Sequence, residues 1–288
     1  MKTRIIMILM LLAGMTLQAR QPGIKVRFLG TGAADWNGVD ERGEHRRCSS
    51  ILVDGEVLVD LTAESLEMIP EGCNPKVIFY THSHNDHFDP EAALKTGVER
   101  VYVGATWFER ARSRFHDASA SLGLPMPQII PLDTQECVSE HGLFFTALPA
   151  NHATSDLHEQ ALIYLIEKEG VRVLYATDTG GLMADATQGI GIDAHKNPGR
   201  PIHGFIMEAT MGMDGDEDFR IFAHSSVNTV LRTVHVLQKT GRYTPAEGQA
   251  AYLTHMARTL HGTQAELDAT LPEPLKAAYD GLEVIFTK

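Results

Sequence analysis

The chain is short of cysteine, with Cys48, Cys73 and Cys137 its only three in 288 residues. So few, and an odd number, cannot make a disulfide framework, although one bridge is allowed in an oxidising compartment. Internal repeats, low-complexity tracts and linkers long enough to divide the chain are also missing, which leaves one large domain. Basic residues are outnumbered, 25 Lys and Arg against 37 Asp and Glu, for a formal net charge of −12. That balance repels a phosphate backbone, so no nucleic acid polymer is expected as a partner. No apolar run reaches the roughly 20 residues that span a bilayer, so no stable membrane anchor is expected either.

What is present begins with Lys2 and Arg4, then the apolar run Ile5–Ala13, then Leu17-Gln18-Ala19. A basic start, a short apolar centre and a small closing residue read as a secretory signal peptide cleaved near Ala19. No cysteine stands at the cleavage region, which argues against a lipoprotein. The expected organisation is a leader over 1–19 and one folded domain over 20–288, secreted or periplasmic. Its length suits a single α/β domain.

Ile24–Leu29 alternates apolar and polar residues and runs into Gly30-Thr31-Gly32, a strand and a tight turn. The polar loop 33–47, with Trp36 and His45, either overhangs a site or is simply solvated. Ser50–Asp54 and Glu56–Asp60 flank Gly55 as a hairpin with an Asp-Gly turn. Helices are expected over Leu61–Ile69, Glu91–Thr96 and Ala105–Leu122. Phe144–Leu148 reads as a strand, and Ala161–Ile166 pairs with Val171–Ala176 around Lys168-Glu169-Gly170. Gly204–Thr210 reads as a strand carrying the acidic Glu208, and Ala223–Val230 opens a helix that continues to about Gln238.

The chemistry gathers in Thr81-His82-Ser83-His84-Asn85-Asp86-His87-Phe88, directly after the apolar run Lys76–Tyr80. That run reads as a buried strand. Residues two apart on extended chain point the same way, so His82 and His84 share a direction. Asp86 and His87 fall in the turn beyond and approach from another side. Three imidazoles and a carboxylate within six positions make a ligand set for zinc, manganese or iron. A plain polar loop is the competing reading. It is the poorer one, because crowding these groups costs desolvation and repulsion unless a cation sits among them.

The pattern His-x-His-x-Asp-His resembles the signature of the metallo-β-lactamase superfamily. The remaining pieces follow in the expected order: Asn151-His152, Thr177-Asp178-Thr179-Gly180 and Thr254-His255, each after an apolar stretch. The resemblance runs from Gly30 to Gly281. It implies an α/β fold, an αββα sandwich of two mixed sheets with helices outside and metals at one edge. It also implies two divalent metal ions, one held by His82, His84 and His152, the other by Asp86, His87 and His255, with Asp178 between them. Zinc or manganese is expected, and iron also suits the set. Taken alone, Asp178 could be a turn or N-cap residue.

Two further pieces narrow the resemblance. Glu208-Ala209-Thr210 and His224-Ser225-Ser226 are similar to those of the tRNA 3′-processing endonuclease RNase Z. His224, followed by Asn228-Thr229-Val230, and Leu253-Thr254-His255 resemble more closely the cyclic phosphodiesterase family of phosphonate breakdown, PhnP. That family also shares Asn151-His152, Asp178-Thr179 and the closing Tyr279-Asp280-Gly281-Leu282-Glu283. The loop 33–47 lacks the cysteines that hold a structural zinc in PhnP relatives. Thr254-His255 is followed by Met256-Ala257-Arg258 instead of a second histidine, and His261 lies near enough in sequence to stand in for it. The long basic arm that grips tRNA is absent. Without the resemblance, Glu208 could be a solvated strand end and His224 an N-terminal helix residue.

The resemblance therefore implies an exported dinuclear metal-dependent hydrolase, a phosphodiesterase acting on a small phosphate ester, cyclic esters included. By that resemblance the two metals would supply a shared hydroxide as nucleophile, with Asp86 among the catalytic groups as well as the ligands. His224 is the candidate general acid, which Glu208 would orient and keep protonated. One alternative is a metallo-hydrolase of a carbonyl ester, lactone or β-lactam. Another is a non-catalytic metal- or ligand-binding protein, against which the intact set of seven ligands argues. The family makes a homodimer a candidate assembly. His116, His158, His195 and His203 stand in no motif and are expected to be structural or exposed.

Overall fold

The strand that precedes the histidine motif shows how the layers arise. Val77 and Phe79 point to one side of the strand and Ile78 and Tyr80 to the other, as a period of two demands. Both sides are apolar, so both must be covered. In the computed structural model, which describes residues 22–192, 199–213, 215 and 218–288, a second sheet covers one side and helices the other. The leader read over 1–19 and His195 lie outside the described residues.

The first sheet contains β1 (Ile24–Gly30), β2 (Ser50–Val53), β3 (Val57–Val59), β4 (Val77–Phe79), β5 (Arg100–Gly104) and β6 (Gln128–Leu132). The second contains β7 (Cys137–Glu140), β8 (Leu143–Pro149), β9 (Leu162–Lys168), β10 (Val171–Ala176), β11 (Gly204–Glu208), β12 (Ala251–Thr254) and β13 (Leu275–Ala277). The last strand, β14 (Glu283–Phe286), returns to the first sheet beside β1. The orders are β14-β1-β2-β3-β4-β5-β6 and β13-β12-β11-β10-β9-β8-β7. Each sheet is antiparallel in one half and parallel in the other, the parallel runs being β3 to β6 and β10 to β13.

Between the sheets, Phe79 stacks on Tyr102 of its own sheet and on Phe145 of the other, at ring-centroid distances of 4.4 and 4.2 Å. Outside the first sheet lie α1 (Ala63–Leu66), α2 (Pro90–Thr96) and α3 (Phe108–Leu122), packed on Leu29, Ile78, Tyr80 and Val101. Outside the second lie α4 (Ala184–Ile190), α5 (Val227–Lys239) and α6 (Gln264–Thr270), packed on Leu165, Leu174, Phe205 and Leu253. The layer order is helix, sheet, sheet, helix: an αββα sandwich. Among the described residues no helix is long and apolar enough to cross a membrane.

Several elements differ from their sequence reading. The helix expected over Leu61–Ile69 is the single turn α1, where Thr62 and Ser65 cap one another. Ala105–Trp107 is a 3-10 turn ahead of α3. The helix expected from Ala223 begins at Val227, because Ser226 accepts the Thr229 N–H and caps it there. His224 therefore stands in the preceding loop. The strand expected over Gly204–Thr210 stops at Glu208, whose carboxylate captures the Thr210 N–H at 3.0 Å. The hairpins keep their predicted turns, with Asp54-Gly55 and Glu169-Gly170 all at positive φ.

Candidate metal centre

The parallel strands end together at one edge, and the residue after each apolar run is polar. Asp60 follows β3, Thr81 follows Tyr80 beyond β4, Thr177 and Asp178 follow β10, Glu208 closes β11, and His255 follows β12. Three of these, Asp60, Asp178 and His255, have φ of 56°, 45° and 51°. Left-handed backbone is unfavourable for such residues and tends to gather at functional sites, where the surroundings impose it.

All seven residues read as ligands meet at this edge. Donor atoms of His82, His84, His152 and Asp178 lie within 4.8 Å of one another, as do those of Asp86, His87, Asp178 and His255. His84 Nδ1 is 3.0 Å from His82 Nε2 and 3.2 Å from His152 Nε2. His87 Nε2 is 3.2 Å from His255 Nε2 and 2.9 Å from Asp178 Oδ2. Asp86 Oδ2 stands 3.4 Å from both His87 and His255. Asp178 belongs to both groups, is buried, and its Oδ1 has no hydrogen-bond partner. An orphaned buried carboxylate oxygen facing converging imidazole nitrogens is a fit for a divalent cation, and the nitrogen-and-oxygen set suits zinc or manganese.

Two buried carboxylates hold the imidazoles in place. Asp60 accepts from His87 Nδ1 at 2.7 Å and from the Thr81 hydroxyl at 2.8 Å. With its proton on Asp60, that hydroxyl accepts from His82 Nδ1 at 2.9 Å. Glu208 repeats the pattern, accepting from His224 Nδ1 at 3.1 Å and from the Thr210 hydroxyl. The Thr210 hydroxyl in turn accepts from His255 Nδ1 at 2.9 Å. His152 donates its Nδ1–H to the Ala223 carbonyl at 3.2 Å. The Nδ1 atoms of His82, His87, His152 and His255 are engaged in this network, which turns each Nε2 towards the cluster.

Burial and the charge of His87 push His82 down to about 3, so it stays neutral, as a ligand must. Burial also works against charge on Asp178, but the imidazoles of His255 and His87 overrule it and keep the carboxyl well below its usual range. Burial likewise opposes charge on His224. Asp178 and Glu208 outweigh it and lift that imidazole to about 10.

Residues 69–194 match the family described as the beta-lactamase superfamily domain. No curated protein matches the chain. Among solved structures, a diphosphatase of the PhnP family is 18% identical, with a TM-score of 0.61 over 93% of this chain and 98% of its own. The metallo-beta-lactamase fold protein YhfI from Bacillus subtilis is 16% identical, with a TM-score of 0.64 over 92% and 100%. Zn²⁺-bound PqqB from Methylobacterium extorquens is 17% identical, with a TM-score of 0.63 over 90% and 99%. The chain is a metallo-β-lactamase-fold protein.

In this metallo-β-lactamase fold the cluster floors a cavity of about 280 Å³, lined also by Ala33, Ala34, Asp35, Thr210, Arg220, His224 and Ala257. The start of loop 33–47 thus does overhang the site. Trp36 anchors it by donating to the Met256 carbonyl at 2.8 Å. His45 lies 3.8 Å from Glu64, away from the cavity. His261 does not stand in as a ligand. Buried beside the Ala209 carbonyl, to which it donates at 2.6 Å, it is pushed down to about 4. Arg258 is drawn to Glu41 at 3.0 Å. All three cysteines are free. His116 and His158 are exposed, and His203 is buried with its ring nitrogen on the Arg172 N–H.

Some pieces of the sequence signature are structural. Asp280 clamps the turn after β1, accepting from the Thr31 hydroxyl at 2.8 Å and the Arg47 N–H at 2.7 Å. Asn228 donates to the Met213 carbonyl. Asp60 was visible only as an acid closing an apolar strand, the same signal that marks Glu208. Glu159 carried no sequence signal. It accepts from Ser83 N and Oγ at 2.8 and 2.7 Å and pairs with Arg110, bracing the histidine loop from outside.

Proposed function

We propose that the chain is a metal-dependent hydrolase of a small phosphate ester, a phosphodiesterase working with two divalent cations. His82, His84 and His152 would hold one cation and Asp86, His87 and His255 the other, with Asp178 shared. Zn²⁺ is the first candidate, since PqqB binds it in the same fold, and Mn²⁺ the second. Bound there, such ions lower the pKa of water towards about 7 and offset charge on phosphoryl oxygens.

One observation carries the phosphoester reading: His224 lines the cavity with its Nδ1 held by Glu208, so that Nε2 is the nitrogen available to a substrate. Glu208 is completely buried and accepts from Thr179 N at 2.7 Å, so it is fixed before substrate arrives. An imidazolium oriented this way donates a proton to a leaving alkoxide, which an ester with a poor leaving group requires. A PhnP-family structure of similar fold is a diphosphatase, which supports phosphoryl chemistry here. The leader-like start of the sequence supports action outside the cytoplasm.

The test is hydrolysis of bis-p-nitrophenyl phosphate beside a lactone and nitrocefin, by protein reconstituted with zinc or with manganese. Phosphodiester turnover that disappears in Asp178→Ala supports the proposal. Turnover confined to the lactone or nitrocefin refutes it.

A further inference from the structure

The segment between β11 and α5 brings a cation to the cavity as well as His224. Phe219–Phe222 form one 3-10 turn, capped by Asp218, which accepts the Arg220 N–H at 2.9 Å. The Arg220 carbonyl accepts the N–H groups of Ala223 and His224, both at 2.8 Å. The turn lies against Gly180, where a Cβ would come within 2.9 Å of the Ile221 and Phe222 backbone. That contact explains the glycine after Asp178-Thr179 and fixes the backbone of Arg220 relative to the cluster.

The Arg220 side chain lines the cavity that holds His84, Asp86, His152, Asp178, His224 and His255, and no other lysine or arginine does so among the described residues. Its hydrogen-bond partner is Asp218, two residues away, at 2.8 and 3.1 Å. An exposed pair of this kind adds little to folding, so stability does not account for an arginine at a catalytic mouth. Phe219 and Phe222, the first and last residues of the turn, are 81% and 79% exposed. Two apolar rings left in water on the turn that carries the cavity-lining Arg220 offer a contact surface.

We propose that Arg220 is a substrate-binding residue that reads an anionic group beyond the scissile ester, with Phe219 and Phe222 as a shelf for the aromatic or apolar body carrying it. The planar guanidinium fork matches carboxylate and phosphate alike. The substrate class is then a phosphate ester bearing a second anionic function on an aromatic or apolar group. This rests on the reaction proposed for the neighbouring centre.

Two ligands that differ in one charge and little in size provide the test: 3-carboxyphenylphosphonate and 3-carbamoylphenylphosphonate. Calorimetric titration into the zinc-loaded protein reads affinity without turnover. The wild type is expected to prefer the carboxylate by about tenfold. Arg220→Gln is expected to remove the preference, and Arg220→Lys to keep part of it, since the charge persists without the fork. Equal affinity in the wild type, a preference that survives Arg220→Gln, or failure of both ligands to bind would overturn the assignment. Hydrolysis separates the two claims. A charge preference without phosphodiester turnover refutes the reaction and leaves the subsite standing, whereas turnover without the preference does the reverse.

Discussion

Asp60 and Glu208 build the same device on opposite sheets. Each is a fully buried carboxylate at the end of a parallel strand, and each holds one imidazole directly and a second through a threonine hydroxyl. The difference lies in where the imidazoles stand. Both partners of Asp60, His87 and His82, are completely buried in the metal cluster. Of Glu208's partners, His255 is buried in the cluster, while His224, with Nδ1 3.3 Å from Asp178 Oδ1 at the cluster's rim, keeps 18% of its side chain exposed at the cavity. On the proposed reading the same hardware serves metal retention on one side and proton delivery on the other, and the exposure of one ring sets the task.

Substitutions can break this comparison or sharpen it. Asp178 stands between the two devices, so Asp178→Ala should have the largest effect. Turnover should drop by on the order of 10³-fold, with a fall in bound metal read by elemental analysis. His224→Ala comes next. Steady-state kinetics should show a loss of about 10²- to 10⁴-fold on esters with poor leaving groups and a much smaller loss on nitrophenyl esters, at unchanged metal content. Asp60→Asn should weaken metal affinity by about 10- to 100-fold, measured by chelator competition, with turnover restored by excess metal. The smallest effects belong to the hydroxyl relays. Thr81→Val and Thr210→Val should each cost about 1 kcal/mol, the first in metal binding and the second divided between metal binding and turnover.

Legibility in the sequence followed the same division. His82, His84, Asp86 and His87 arrive within six positions because one strand end and its turn supply them, and local spacing reveals such a group. His152, Asp178 and His255 come from separate strands that meet only through sheet order, so a family resemblance was needed to gather them. Glu208 and Asp60 carry an identical local signal, an acid closing an apolar strand, yet only Glu208 stood beside a motif. Glu159 and Arg220 act across loops from distant parts of the chain, where neither period nor composition points to them. For the fold, the strands that lead into the site residues and the hairpin turns are readable. Strands β5, β7, β6 with Pro131 inside it, and the short β13 and β14 are not, because tertiary pairing, mostly at sheet edges, overrides their weak local pattern.

The central claim is that the two carboxylates divide metal retention from proton delivery. Its most direct test is the dependence of kcat on leaving-group pKa for wild type, Asp60→Asn and Glu208→Gln, all saturated with metal. The account predicts that Asp60→Asn runs parallel to wild type, while Glu208→Gln falls away ever more steeply as the leaving group becomes more basic. A Glu208→Gln line parallel to wild type, or an equal steepening in Asp60→Asn, would contradict it.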